Sequence, residues 1–275
     1  MGSNVEEYRK YRIKQKLLGV EDFKYKVNYR NDRVDIEECV VNGKEVKLCI
    51  QPFVTGIFGE AFRCVEIDKL KVECQSEKVE TLSRVFKGFR GKELNLSGFR
   101  TNNIKYMDRL FEYCSMLEKL DISSFNTSNV EDMEDMFSGC KNLKEVDLSS
   151  FDTRKVKNMN GMFGMCSSLI KVDLGNFNTS NVEDMSWMFE NCEKLKYLDL
   201  SSFNTDRLKC MDYMFDGCSL LNELDIRNFN VNNIGVQHNI FICCNNLKKI
   251  ITNKESEEVV KNWISILSRC SIEKV

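Results

Sequence analysis

Residues 172–197 read VDLGNFNTSNVEDMSWMFENCEKLKY, and the same 26-residue phrase continues on either side without insertion or deletion. Leu120 opens LDISSFNTSNVEDMEDMFSGCKNLKE, Val146 opens VDLSSFDTRKVKNMNGMFGMCSSLIK, and Leu198 opens LDLSSFNTDRLKCMDYMFDGCSLLNE. Looser copies begin at Leu94 and Leu224, and a further strand start falls at Ile250. A unit of this size cannot bury its apolar face alone, so successive units stack and share one continuous core. The period predicts an elongated solenoid. Such a molecule offers surface more readily than an enclosed pocket, which turns the functional question towards binding.

Within a unit the spacing of apolar residues changes once. Leu143, Val146, Leu148 and Phe151 alternate as a short half-buried strand does, with Val146 and Leu148 inward and Asp147 and Ser149 outward. Asp152-Thr153 follows, elsewhere Asn126-Thr127, Asn178-Thr179 and Asn204-Thr205, whose short polar side chains bond local backbone in turns. Val156, Met159, Met162, Phe163, Cys166 and Leu169 then recur at spacings near three and four, which predicts one face of a short helix. Gly139, Gly164 and Gly217 fall near the expected helix ends, where a left-handed cap favours glycine. The predicted class is α/β: a solenoid with a parallel β-sheet on one face and short helices on the other.

Stacking in register makes columns of like side chains. Phe125, Phe151, Phe177, Phe203 and Phe229 form one, and Phe111, Phe137, Phe163, Phe189, Phe215 and Phe241 a second. Met107, Met133, Met159, Met185 and Met211 form a third, which Gln237 breaks in the last copy. The period assigns all three to core packing rather than to a metal or cofactor.

Of the 275 residues, 40 are basic and 42 acidic, well mixed along the chain, which argues against a nucleic-acid partner. No apolar run is long enough to span a bilayer, and the first thirty residues lack the apolar centre of a signal peptide. Cys114, Cys140, Cys166, Cys192, Cys218 and Cys244 keep the repeat period, so six of the 13 cysteines occupy one core position. An odd total without a CxxC pair fits reduced thiols and a cytoplasmic location, with secretion or surface display as the alternative.

The repeat extends upstream in degenerate form through Phe53, Ala61-Phe62 and Cys64, then Leu70 to Val72, then Val79, Leu82, Val85 and Phe86. Before it, Arg33 to Ile50 reads as a β-hairpin centred on Asn42-Gly43. Residues 4–18 read as an amphipathic helix carrying Val5, Tyr8, Tyr11 and Leu18. After the repeats, Thr252-x-x-Glu255 fits a capping box, and Val259, Val260, Trp263, Ile264 and Leu267 make an apolar stripe with Trp263 as the plug. The expected organisation is an N-terminal helix and hairpin cap over residues 1–47, a solenoid over 48–252 and a C-terminal capping helix over 253–275.

Over about residues 48–252 the chain resembles the BspA-like leucine-rich repeat proteins, known as bacterial surface-protein 26-residue repeats and closest in their DUF285-type form. The motif that carries this is LDLSSFNTSNVxxMxxMFxxCxxL, clearest at Leu120–Leu143 and Val172–Leu195. The resemblance implies a right-handed leucine-rich-repeat solenoid and protein–protein recognition, often at a cell surface, and it implies no catalytic residues. The chain departs from many members in lacking a visible export signal or wall anchor.

Two sets of outward residues are candidates for a protein partner. On the strands, Asp121, Asp147, Asp173, Asp199 and Asp225 form an acidic column beside Lys171 and Tyr197, either recruiting a partner or bonding local backbone. On the second face, the variable position Arg109, Asp135, Gly161, Trp187, Tyr213, Asn239 places two aromatics on adjacent turns, a composition suited to a hot spot. The expected function is a non-enzymatic scaffold that recognises, and by doing so sequesters or inhibits, a partner protein. The alternative is a secreted or surface adhesin or effector. Self-association is compatible with either. No cofactor or metal is expected, and the single histidine, His238, lacks an evident orienting carboxylate in sequence.

Overall fold

Each copy of the repeat closes one rung, and the rungs stack in register. The computed structural model describes residues 3–18, 23–41, 43–63, 67–231, 234, 238–264 and 270–274, with the side chains of Leu17 and Leu18 excepted. In chain order the elements are α1 (Asn4–Leu18), β1 (Phe23–Asn28), β2 (Arg33–Cys39), β3 (Glu45–Ile50), β4 (Gly56–Ile57), β5 (Lys69–Cys74) and β6 (Glu93–Phe99). They continue with β7 (Lys119–Asp121), β8 (Tyr197–Asp199), β9 (Glu223–Asp225), β10 (Lys249–Thr252), α2 (Glu257–Trp263) and β11 (Ser271–Lys274). The parallel sheet β3-β5-β6-β7 aligns Leu70 with Leu94 and Leu120, and the parallel sheet β8-β9-β10-β11 aligns Leu198 with Leu224 and Ile250. Like residues stand on like at the predicted period. The solenoid and its parallel sheet are therefore as expected.

The second face departs from expectation. Its residues form tight turns, where short helices are predicted. The N–H groups of Met133, Asp135, Phe137 and Gly139 donate to the carbonyls of Asn158, Asn160, Met162 and Gly164 on the next rung, at 2.8–3.0 Å. Those of Met136, Ser138 and Cys140 donate three residues back, to Met133, Asp135 and Phe137. An α-helix spends every interior N–H four residues back within itself; here every second N–H leaves the rung to bind its neighbour. The alternation needs left-handed backbone at two positions per rung. Asp135, Gly161, Trp187 and Tyr213 lie at φ 52–62°, and Gly139, Met165, Asn191 and Gly217 at φ 55–73°. Only the glycines adopt this without steric cost. Bridges Thr81–Tyr106–Asp132–Asn158–Asp184–Cys210 run unbroken along this turn face.

Inside, both phenylalanine columns and the methionine column are buried, with Met107, Met133, Met159, Met185 and Met211 fully covered. Gln237 lies outside the described residues. In the inner phenylalanine column the rings of Phe137, Phe163 and Phe189 stack 5.4 and 5.6 Å apart within 7° of parallel. The cysteine column is also core: Cys140 donates to the Phe111 carbonyl at 3.2 Å, and Cys166 to that of Phe137 at 3.1 Å. Threonine in the polar turn acts between rungs, where the sequence suggests a local role. Thr153 Oγ1 donates to the Asn178 carbonyl at 2.9 Å and accepts from the Asn178 N–H at 2.8 Å. Thr127 and Thr179 repeat this with Asp152 and Asn204. The local turn bond comes instead from the preceding Asn or Asp, as from Ser180 N–H to Asn178 Oδ1 at 3.1 Å.

The ends differ from expectation in detail. The N-terminal hairpin is β1 with β2, turning at residues 29–32, while β3 already pairs in parallel with β5; Asn42 lies outside the described residues. α1 covers this end through Val5, Tyr8 and Tyr11, the tyrosines packing against Tyr25 and Phe53. At the other end Thr252 belongs to β10, and among the described residues its buried Oγ1 has no hydrogen-bond partner and α2, starting after Ser256, has no side-chain cap. The capping box does not form because Thr252 is spent as a strand residue. Val260 is the fully buried plug, with Ile264 beside it and Trp263 half-buried; Leu267 lies outside the described residues.

Candidate functional site

The strand face opens in its middle. Between β7 and β8 lie two rungs, 145–148 and 171–174, that pair with neither neighbour as strands. The position held by Leu200 and Ile226 in the well-paired rungs donates its N–H to the next rung, to Asp225 at 3.2 Å and to Ile251 at 2.9 Å. The equivalent N–H groups of Ile122, Leu148 and Leu174 make no such bond among the described residues. Parallel pairing is the weaker kind of ladder and depends on close approach of the rungs. Where it lapses, three adjoining cavities of about 390, 420 and 250 Å³ lie along the face.

Five of the seven sequence-predicted strand residues line this groove, and Asp121 and Asp225 are not among its lining residues. Lys171, Asp147 and Asp173 line its first part with Lys119 and Glu145, and Tyr197 and Asp199 line its last. Lys119 pairs back to Glu93 at 3.0 Å, whereas Glu145 and Lys171 have no ion-pair partner among the described residues. The aspartates all brace the turn that follows them, since Asp121, Asp147, Asp173, Asp199 and Asp225 each accept the N–H two residues on, at 2.9–3.2 Å. Hydrogen bonds from Ser149 and Ser201 hold the carboxyls of Asp147 and Asp199 below the usual range. Asp225 is nearly buried and bound by Arg227, which sets it apart from the exposed members of the column. Each exposed carboxylate, on Asp147, Asp173 and Asp199, accepts its turn bond through Oδ1 and leaves Oδ2 clear of it.

On the turn face Trp187 stacks on Tyr213, ring centroids 5.7 Å apart and 5° from parallel, with Trp187 41 % exposed. Asn239 Nδ2 donates to the Tyr213 hydroxyl at 2.9 Å and ties the pair to the following rung. Both aromatics sit at the left-handed position, whose Cβ points away from the core. That is why this position varies while the methionines beside it do not.

His238 does have a carboxylate beside it, contrary to the sequence reading: its Nδ1 lies 3.4 Å from Asp212 Oδ1. The neighbouring Cys244 thiol turns into the core and donates to the Phe215 carbonyl at 3.0 Å. The 12 described cysteines form no disulfide. Burial pushes the Cys166 and Cys244 thiols up to about 12 and those of Cys192 and Cys218 well above their ordinary value. These thiols stay protonated and inert. Among the described residues, no helix is long and apolar enough to cross a membrane.

Rungs of parallel strand, polar turn and hydrogen-bonded return define a leucine-rich-repeat-type solenoid. The family model described as "Mycoplasma protein of unknown function, DUF285" matches residues 80–196 and 166–272, and the chain belongs to this BspA-like family. A search of curated proteins gives no match. Among solved structures, a leucine-rich repeat protein from Bacteroides ovatus is similar at 18 % identity and a TM-score of 0.46, over 92 % of this chain and 76 % of that one. A leucine-rich repeat protein of T. pallidum is similar at 14 % identity and a TM-score of 0.28, over 92 % of this chain and 95 % of that one.

Proposed function

We propose that this solenoid is a non-enzymatic scaffold that binds a partner protein along the open middle of its strand face. The observation that carries the reading is the groove itself. Three adjoining cavities, backbone donors at Leu148 and Leu174 without a backbone acceptor among the described residues, and charged side chains at Glu145 and Lys171 meet in one stretch. An extended peptide segment satisfies such donors and charges together, with Tyr197 as the large anchor at one end. The stacked Trp187–Tyr213 pair offers a second area of contact. Asp147, Asp173 and Asp199 each keep an oxygen with no hydrogen-bond donor among the described residues, which favours a polar or basic segment over an apolar one.

Affinity capture from the source cell tests this, comparing the unaltered protein with Asp147→Lys/Asp173→Lys and with Tyr197→Ala. The proposal expects one protein to be retained by the unaltered chain and lost or weakened on both variants. Retention unaffected by either variant removes the strand face from consideration. Sequestration or inhibition of that partner, and placement in the cytoplasm rather than at a cell surface, are the finer parts of the proposal. Core thiols suited to a reducing compartment support the cytoplasmic placement alone. Labelling of the cell surface in intact and lysed cells separates the two locations.

A further inference from the structure

α1 packs by one face, and its outward face departs from the charge balance kept by the rungs. Val5, Tyr8 and Tyr11 turn inward, the tyrosines against Tyr25 and Phe53. Arg9, Lys10, Ile13, Lys14 and Lys16 are exposed. Both acids of the helix, Glu6 and Glu7, stand in its first turn, and none occurs in the sequence from Tyr8 to Val20. On the rungs, lysines face an acid of the neighbouring rung, as Lys69, Lys119, Lys157 and Lys209 do at 2.5–3.1 Å. On α1 only Arg9 does comparably, meeting Glu6 at 3.9 Å, whereas Lys10, Lys14 and Lys16 have no ion-pair partner among the described residues.

The acids beside the helix are already committed. Asp32 accepts the N–H groups of Asn4 and Val5 at 3.0 and 3.1 Å, which fixes the start of α1. Glu37 and Glu38 face Lys24 at 3.6 and 3.9 Å. Apolar groups stand among the cations as well. Ile13 is 64 % exposed and lies one turn from both Arg9 and Lys16 on the same side of the helix. Tyr29 is 66 % exposed in the adjoining turn, with the Arg9 guanidinium over its ring at 5.4 Å.

We propose that the outward face of α1 docks this end of the solenoid on an anionic lipid bilayer surface, without crossing it. Lys10, Lys14 and Lys16 lie against the phosphate headgroups, while Ile13 and Tyr29 enter the boundary between headgroups and acyl chains. A convex helix face has no walls to enclose a peptide, and an exposed isoleucine gains nothing from a hydrated polyanion. The combination therefore favours lipid over an acidic protein segment or a nucleic acid. Attachment by one end leaves the strand face free, and the inference does not depend on the groove.

Sedimentation of the full chain with lipid vesicles tests this. Phosphatidylcholine vesicles containing phosphatidylglycerol should carry the protein down, and vesicles of phosphatidylcholine alone should not. Raising NaCl from about 0.05 M to about 0.5 M should release it, because these exposed charges are fully open to screening. Lys10→Gln/Lys14→Gln/Lys16→Gln should weaken binding on the order of tenfold or more. Ile13→Asn should weaken it several-fold with the charge unchanged. Lys141→Gln/Lys144→Gln/Lys194→Gln removes the same charge from exposed lysines of the rungs and should bind as the unaltered chain does. All seven substituted side chains are exposed, so an unchanged urea midpoint is expected for every variant. Equal loss in the two triple variants, no preference for anionic vesicles, or indifference to Ile13→Asn overturns the proposal. Duplex DNA or polyglutamate held as tightly as the vesicles overturns it too, by showing a general polyanion site. Vesicle binding and partner capture fail separately, because the strand-face variants leave α1 untouched.

Discussion

At the scale of single residues, the rungs are joined by side chains whose bonds run along the stacking axis. Thr153 is both donor and acceptor to the backbone of Asn178 and is almost wholly buried. Thr153→Val keeps the shape but strips the Asn178 N–H and carbonyl of their partner, so urea unfolding should show a loss of about 2–3 kcal/mol. Cys166→Ala should cost less, about 1 kcal/mol, because the Phe137 carbonyl keeps its second bond from the Cys140 N–H. Native thiol titration should find Cys210 and Cys243, which are exposed, reacting first, with the buried column released only on unfolding. Asp135 carries a pH signature. Its folded pKa of about 6 stands above the ordinary 3.8, so folding favours the protonated form. The associated stability is complete below 3.8 and is lost as pH rises through about 6. Unfolding curves of Asp135→Asn should lack that decline.

At the scale of the element, the turn face is where sequence and structure part. Met159, Met162, Phe163 and Cys166 have the inward spacing of a helix, but a run of turns bonding three residues back places side chains inward at the same spacing. Apolar periodicity reports which residues face the core and does not distinguish the two backbones. The clue lay in glycine. Gly139 and Gly217 read as helix caps, yet Tyr113, Met165, Asn191 and Cys243 hold the same left-handed position, so residue type conceals the conformation. Threonine misleads for a related reason: a short hydroxyl that bonds backbone does not reveal whether that backbone is its own or the next rung's. Trp187 and Tyr213 stand out in the sequence because the repeat does not require them, whereas the lapse of the strand ladder at residues 145–148 and 171–174 is visible only once the rungs are stacked. Gly139→Ala tests the turn. At φ 73° its new Cβ would meet the Tyr113 ring at 2.5 Å, so a loss of about 1–2 kcal/mol is expected in urea unfolding.

At the scale of the molecule, every rung leans only on its neighbours, and stability accumulates along the stack. Removing a mid-array ring should therefore weaken the whole: Phe163→Ala, which interrupts the inner stack on both sides, should cost about 3–5 kcal/mol. The two faces contribute unequally. The turn face is bonded rung to rung without interruption, while the strand face lapses at the two central rungs and opens there as a groove. A continuous rigid face behind an unpaired one is the physical basis for reading this protein as a binding scaffold. Residue-resolved amide hydrogen exchange measures that contrast directly. Slow exchange is expected at Met159 and Phe163 on the turn face and at Ile226 beside the paired strands, with markedly faster exchange at Leu148 and Leu174. Equal protection of Leu148, Leu174 and Ile226 would mean that the strand ladder is closed throughout, and the groove on which the function rests would not exist.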